Sequence, residues 1–102
     1  MSRTDGFRLR WLRAFIATVD CGSQSDAAKH LGVSQSTISK DVTSLEEWLR
    51  YQLFESSVPV ELSAKGAAFL PQAKDIVDKL EKAREPLQAQ QPSGTPIRDI
   101  KP

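Results

Sequence analysis

Cysteine is almost absent. Cys21 stands alone and cannot close an internal disulfide, which fits the cytosol. His30 is the single histidine, and nothing at a useful spacing offers a second metal ligand. No apolar run approaches the ~20 residues that cross a bilayer. The N-terminal stretch carries arginines but no uninterrupted apolar block, so no signal peptide is expected. Excess charge of one sign is missing too: 14 basic against 13 acidic residues give a net charge of +1. Composition alone therefore does not point to nucleic acid. No catalytic triad, phosphate loop or paired-carboxylate pattern stands out, so neither enzyme activity nor a cofactor is expected.

What is present is a dense run of signals between residues 27 and 43. It reads as two short helices joined by a tight turn. Ala28 is small where two helices must touch, and Gly32 falls where the chain needs a positive φ. Ala27, Leu31, Val33, Ile38 and Val42 supply the apolar contacts expected to lock the pair. The second helix then presents Gln35, Ser36, Ser39, Lys40 and Thr43, all hydrogen-bonding residues. This is the pattern of a helix-turn-helix whose second helix has the width of the DNA major groove. Arg8, Arg10, Arg13, Lys29 and Lys40 are candidates for a basic face.

The rest of the chain supports a small, mainly α fold. Leu9, Leu12, Phe15, Ile16 and Val19 recur at helical spacing and predict a helix over 8–20, stopped by Gly22. Ser25 is the expected N-cap of the next helix and Ser34 that of the third, over 35–50. Ile38, Val42, Leu45 and Leu49 form the third helix's inner face. Two short apolar runs, Gln52-Leu53-Phe54 and Val60-Glu61-Leu62, flank a turn containing Pro59 and predict a hairpin wing. Ser63 then caps a long helix over 64–88, with Leu70, Ala73, Val77, Leu80 and Leu87 at three-four spacing and Pro71 expected to bend or break it. The expected organisation is a winged helix-turn-helix over 1–63, a dimerisation helix over 64–88 and a flexible tail over 89–102. Trp11 and Trp48 are expected to be packing residues.

In that order, Gly22-Ser23, Ala27-Ala28, Leu31, Val33 through Lys40, Leu45-Glu46, Gln52-Leu53-Phe54 and Leu62 through Gly66 resemble the N-terminal DNA-binding region of LysR-type bacterial transcriptional regulators. The resemblance spans residues 8 to about 88. It implies that Gln35, Ser36, Ser39 and Lys40 face the major groove and that Ser23, Ser34 and Thr37 lie near backbone phosphates. It also implies that the long helix pairs antiparallel with a second copy. An apolar seam of that length needs a cover, and a partner copy is the simplest one. The chain departs from the family at Gln24, where Phe is frequent, at Lys40, where Arg is usual, and at Asp41, where an acid repels phosphate unless turned away. Glu55-Ser56-Ser57 stands where the family carries an arginine just after the Phe54 match. The large effector-binding domain that normally follows is not in this sequence.

The expectation is a cytoplasmic, nucleoid-associated regulator that binds an inverted repeat in double-stranded DNA as a homodimer. No membrane contact or small-molecule effector is expected. The rival expectation is a protein-interaction antiactivator that pairs through the long helix with a longer regulator, favoured by the low net charge, Asp41 and the arginine-free wing.

Overall fold

Left-handed backbone at three positions marks the ends of the first three helices: Gly22 at φ 85°, Gly32 at φ 71° and Arg50 at φ 70°. The computed structural model describes residues 6–84. Within them the order is α1 (Leu9–Cys21), α2 (Gln24–Leu31), α3 (Gln35–Leu49), β1 (Phe54–Ser57), β2 (Val60–Leu62) and α4 (Ala64–Ala83). The three-helix core and the two-stranded antiparallel wing are those expected of a mainly α winged helix-turn-helix. The predicted end of α4 near residue 88, Leu87 and the tail over 89–102 lie outside the described residues.

Capping explains where the elements begin. Ser23, rather than Ser25, caps α2, its side chain accepting the Asp26 N–H at 3.0 Å. Ser25 lies one position inside the helix, where its hydroxyl no longer reaches the first free N–H groups. Ser34 caps α3 and Ser63 caps α4, as expected. The α2 terminus is a Schellman turn. Val33 N–H donates to the Ala28 carbonyl at 3.0 Å and Gly32 N–H to that of Lys29 at 3.3 Å. Val33 therefore contributes its backbone; its side chain is 42% exposed and does not lock the helix pair as predicted.

The core has two halves. Ala14 and Ala17 of α1 meet Ala27 and Ala28 of α2 and Ile38 and Val42 of α3. Leu12 and Phe15 of α1 meet Leu45 of α3, Leu53 before the wing, and Ala73 of α4. Phe15 has edge contact with Phe54, ring centroids 5.6 Å apart, and a tilted contact with Phe69 at 5.9 Å. Full burial of a side chain of this size contributes about 1.5–3 kcal/mol. Phe7 sits edge-on to both Trp11 and Trp48, giving both tryptophans a packing role.

The long helix folds back on its own domain. Ala73 is fully buried, and Leu70 and Val77 pack against the same cluster. This corrects the expectation that all of these residues line a dimer seam. Three-four spacing marks an apolar face without saying what covers it, and here the domain's own core covers Leu70, Ala73 and Val77. Ion pairs reinforce the contact: Lys74 reaches Asp20 at 3.1 Å, and Arg13 pairs with Glu81. The hydrogen bond from the Arg13 guanidinium, then its charge, holds the Glu81 carboxyl below its usual range. Pro71 does not break α4. It is exposed beside exposed Ala67, Ala68 and Gln72, so the carbonyl it leaves without a partner faces water.

A short network joins α3, the wing and α4. Leu53 N–H donates to Glu46 Oε2 at 2.8 Å. The Leu53 carbonyl accepts from Ser63 N–H at 2.8 Å. Ser63 Oγ donates to the Gln52 carbonyl at 2.6 Å and accepts from Gly66 N–H at 2.9 Å. A Cβ at Gly66 would stand 2.0 Å from the Leu53 carbonyl oxygen, so only glycine admits this approach. Gly66→Ala is expected to destabilise the fold by about 3 kcal/mol, the upper end for overpacking. By circular dichroism its melting midpoint should fall by more than roughly 10 °C. Arg50→Gly has the opposite expectation. It relieves a left-handed cost of about 1–2 kcal/mol against a glycine entropy cost of about 0.5–1 kcal/mol. Its midpoint should rise by a few degrees in the same assay.

Candidate nucleic-acid interface

The inner face of α3 is Ile38, Asp41, Val42 and Leu45, all buried. A helix anchored on that face turns the opposite one to solvent. Ser36, Ser39, Lys40 and Thr43 follow one another at intervals of three, one and three residues and fall on a single stripe. They are exposed, as is Gln35 at the helix start. The structure thus brings together five of the predicted contact residues on one surface.

Ser34 and Thr37 stand at the N-terminal end of the same helix. Ser34 Oγ accepts the Thr37 N–H at 3.1 Å and shares hydrogen bonds with Ser36 Oγ at 3.1 Å and Thr37 Oγ1 at 2.9 Å. The result is a cluster of hydroxyls at the positive end of the helix dipole, a setting that favours anionic oxygen. Ser23 lies apart from them, at the start of α2, half-buried and engaged in its own cap.

Asp41 is not on the exposed stripe. Its side chain is 7% exposed and accepts a hydrogen bond from Arg10 Nε at 3.2 Å. The acid that would repel phosphate is therefore turned inward and neutralised by a cation from α1. The predicted basic face is correspondingly divided: Arg13 is committed to Glu81 of α4, while Arg8, Arg10, Lys29 and Lys40 are exposed.

Between α3 and the wing runs a polar groove. It is lined by Ser39 and Thr43, by Gln24 of α2, and by Gln52, Glu55 and Ser56 at the wing. The sequence offered no signal that Gln24 and Gln52 share a surface with Ser39, because the wing's return toward α3 depends on tertiary contacts. Phe54 pairs with Leu62 and Ser56 with Glu61, leaving Glu55 unpaired at an irregularity of the hairpin. The turn carries exposed Val58 before a cis proline, Pro59. From Phe54 to Leu62 the wing has two acids and no base. Among the described residues, no group of three His, Cys, Asp or Glu side chains could hold a metal ion, and no helix is long and apolar enough to cross a membrane. His30 and Cys21 line a shallow groove with Ile16, Leu31 and Val77.

Comparison with known proteins gives one answer. ShiR, an HTH-type transcriptional regulator of Corynebacterium glutamicum (strain R), is 44% identical over 82 residues, covering 79% of this chain and 28% of ShiR. The chain spans between about a quarter and about half the length of the first curated relatives it matches. Among solved structures, the CbnR_DBD–DNA complex aligns with a TM-score of 0.74 and 35% identity, covering 82% of this chain and 98% of that one. The BenM_DBD/benA site 1 DNA complex aligns with a TM-score of 0.70 and 32% identity, covering 76% and 91%. Residues 9–67 match the model of the bacterial regulatory helix-turn-helix proteins of the lysR family. With a buried-face helix-turn-helix, a wing and a match over more than half its length, the chain belongs to the LysR family of DNA-binding transcriptional regulators.

Proposed function

We propose that residues 1–63 recognise a specific double-stranded DNA sequence by placing α3 in the major groove. The observation that carries this reading is the exposed stripe of Ser36, Ser39, Lys40 and Thr43 beside Gln35, held outward by a buried opposite face. Gln35 is suited to the paired donor and acceptor of adenine, and Lys40 to the acceptors of guanine. The hydroxyls of Ser23, Ser34, Ser36, Thr37, Ser39 and Thr43 suit phosphate oxygens or base edges. The two related domains solved as DNA complexes support this assignment.

The protein acts on an inverted repeat as a homodimer, with residues 64–88 as the pairing helix and 89–102 as a tail. Support comes from Ile76 and Leu80 of α4, which the described residues leave 47% and 46% exposed. The antiactivator reading draws on the same helix. Its case is reduced by the inward turn of Asp41, which removes an acid from the α3 face.

Two experiments test the proposal. In fluorescence anisotropy with labelled duplex, the protein should bind at low salt and weaken as salt rises, with a slope of about 0.9 per phosphate contact. Gln35→Ala with Lys40→Ala should remove sequence preference, each lost base contact being worth about 1–3 kcal/mol. Absence of binding at low salt, or an unchanged double variant, would leave the antiactivator reading in its place. In sedimentation velocity, Ile76→Glu with Leu80→Glu should convert a dimer to a monomer. An unchanged species would refute pairing through α4.

A further inference from the structure

We infer that Arg10 is a phosphate-binding residue and that Asp41 is its positioning residue, holding the guanidinium at the flank of α3. This rests on the reading of α3 as the groove-inserted helix. Thr37 and Asp41 lie one turn apart on the same side of α3, next to the exposed stripe that contains Ser36 and Lys40. Arg10 comes from α1 to that side, and together with Val33, Thr37 and Asp41 it lines one small depression. The major groove is about 12 Å wide and a helix with its side chains about 10–12 Å across. An inserted helix therefore has sugar-phosphate backbone along both flanks, and a cation fixed on a flank meets phosphate rather than base.

The geometry of the pair suits that task. The Arg10 side chain is 70% exposed although its partner is buried. The hydrogen bond to Asp41 uses Nε at 3.2 Å, and the two terminal nitrogens make no hydrogen bond to any described residue. Those nitrogens form a planar fork that matches a phosphate oxygen pair. Anchoring at Nε removes rotational freedom before DNA arrives, so less is lost on binding. Arg13, one turn along α1, borders the same depression, but its guanidinium is paired with Glu81.

Charge and positioning predict opposite signs for Asp41, and this separates them. By charge alone, deleting an acid near DNA strengthens binding. If Asp41 orients Arg10, deleting it weakens binding. The test is anisotropy of a labelled generic duplex across a salt series, with the full chain and five variants. Arg10→Ala is expected to weaken binding several-fold at low salt and to reduce the log–log salt slope by about 0.9 per protomer. Asp41→Ala should weaken binding in the same direction, and the two changes together should do no more than Arg10→Ala alone. Asp41→Asn keeps an oxygen acceptor for Nε and should bind like the parent. Melting curves identify any variant that fails to fold; if Asp41→Ala does, Arg10→Ala and Asp41→Asn decide. Lys40→Ala separates the two levels of the reading. If Lys40→Ala weakens binding while Arg10→Ala changes neither affinity nor slope, the phosphate role is wrong. If Asp41→Ala tightens binding, the positioning role is wrong. If Lys40→Ala and Arg10→Ala both leave binding unchanged, α3 is not the inserted helix and both readings fall.

Discussion

The contact of small side chains between α1 and α2 governs everything downstream of it. Ala14, Ala17, Ala27 and Ala28 are all buried in one cluster with Ile38 and Val42. Side chains of one carbon let helix axes approach to the short end of the usual 8–10 Å range. That closeness brings the end of α2 over the start of α3, and the tight Schellman turn at Gly32 then has only a short gap to cross. A larger residue at Ala28 would push the two helices apart and tilt the exposed stripe of α3 away from its present direction. The direction of the exposed α3 stripe is thus set by residues that never reach it.

A second constraint fixes the far end of α3. Glu46 accepts the Leu53 N–H, the Leu53 carbonyl faces both Ser63 N–H and Gly66, and Ser63 caps α4. These bonds satisfy backbone groups that would otherwise be left unpaired around the buried Leu53. They also couple three elements, so that the wing, α3 and α4 hold one arrangement. Phe15 sits under this junction, touching Phe54 from one side and Phe69 from the other. The wing and α4 therefore share a common support in α1.

Much of this was legible because it is local. Helix spacing, Ser34 and Ser63 as caps and Gly22 and Gly32 as stops depend on residues a few positions apart, and each appears where expected; the hairpin is present too, but β1 is Phe54–Ser57 rather than the Gln52-Leu53-Phe54 run, whose Leu53 is buried in the core. The exposed stripe of α3 followed from the same periodicity. What could not be read was what each face meets. The seam of α4 is indistinguishable in sequence from a dimer seam, yet Ala73 is spent on the chain's own core. Val33 looked like a packing residue because it is apolar, while the turn uses its N–H. Ser23 and Ser25 are both good caps on composition, and only backbone geometry separates them. The partners of Arg10 and Arg13 are 31 and 68 residues away, beyond any pattern of spacing.

The near-neutral charge of the chain is the remaining difficulty for a protein of this family, and ion-pair placement reduces it. Affinity for a polyanion depends on which charges face it within a Debye length, about 8–10 Å in ordinary buffers, rather than on the sum over the chain. Asp41 is buried against Arg10, Glu81 engages Arg13, and Asp75 and Asp78 pair with Lys79 and Lys82 along α4. The acids in these pairs are carried by α4 or turned inward, and Glu47, one turn beyond Thr43, is the exposed carboxylate on the α3 stripe. The acids of the wing, Glu55 and Glu61, are exposed as well. Glu55 lines the Ser39–Thr43 side of α3, whereas the proposed phosphate contact of Arg10 stands on the Thr37–Asp41 side.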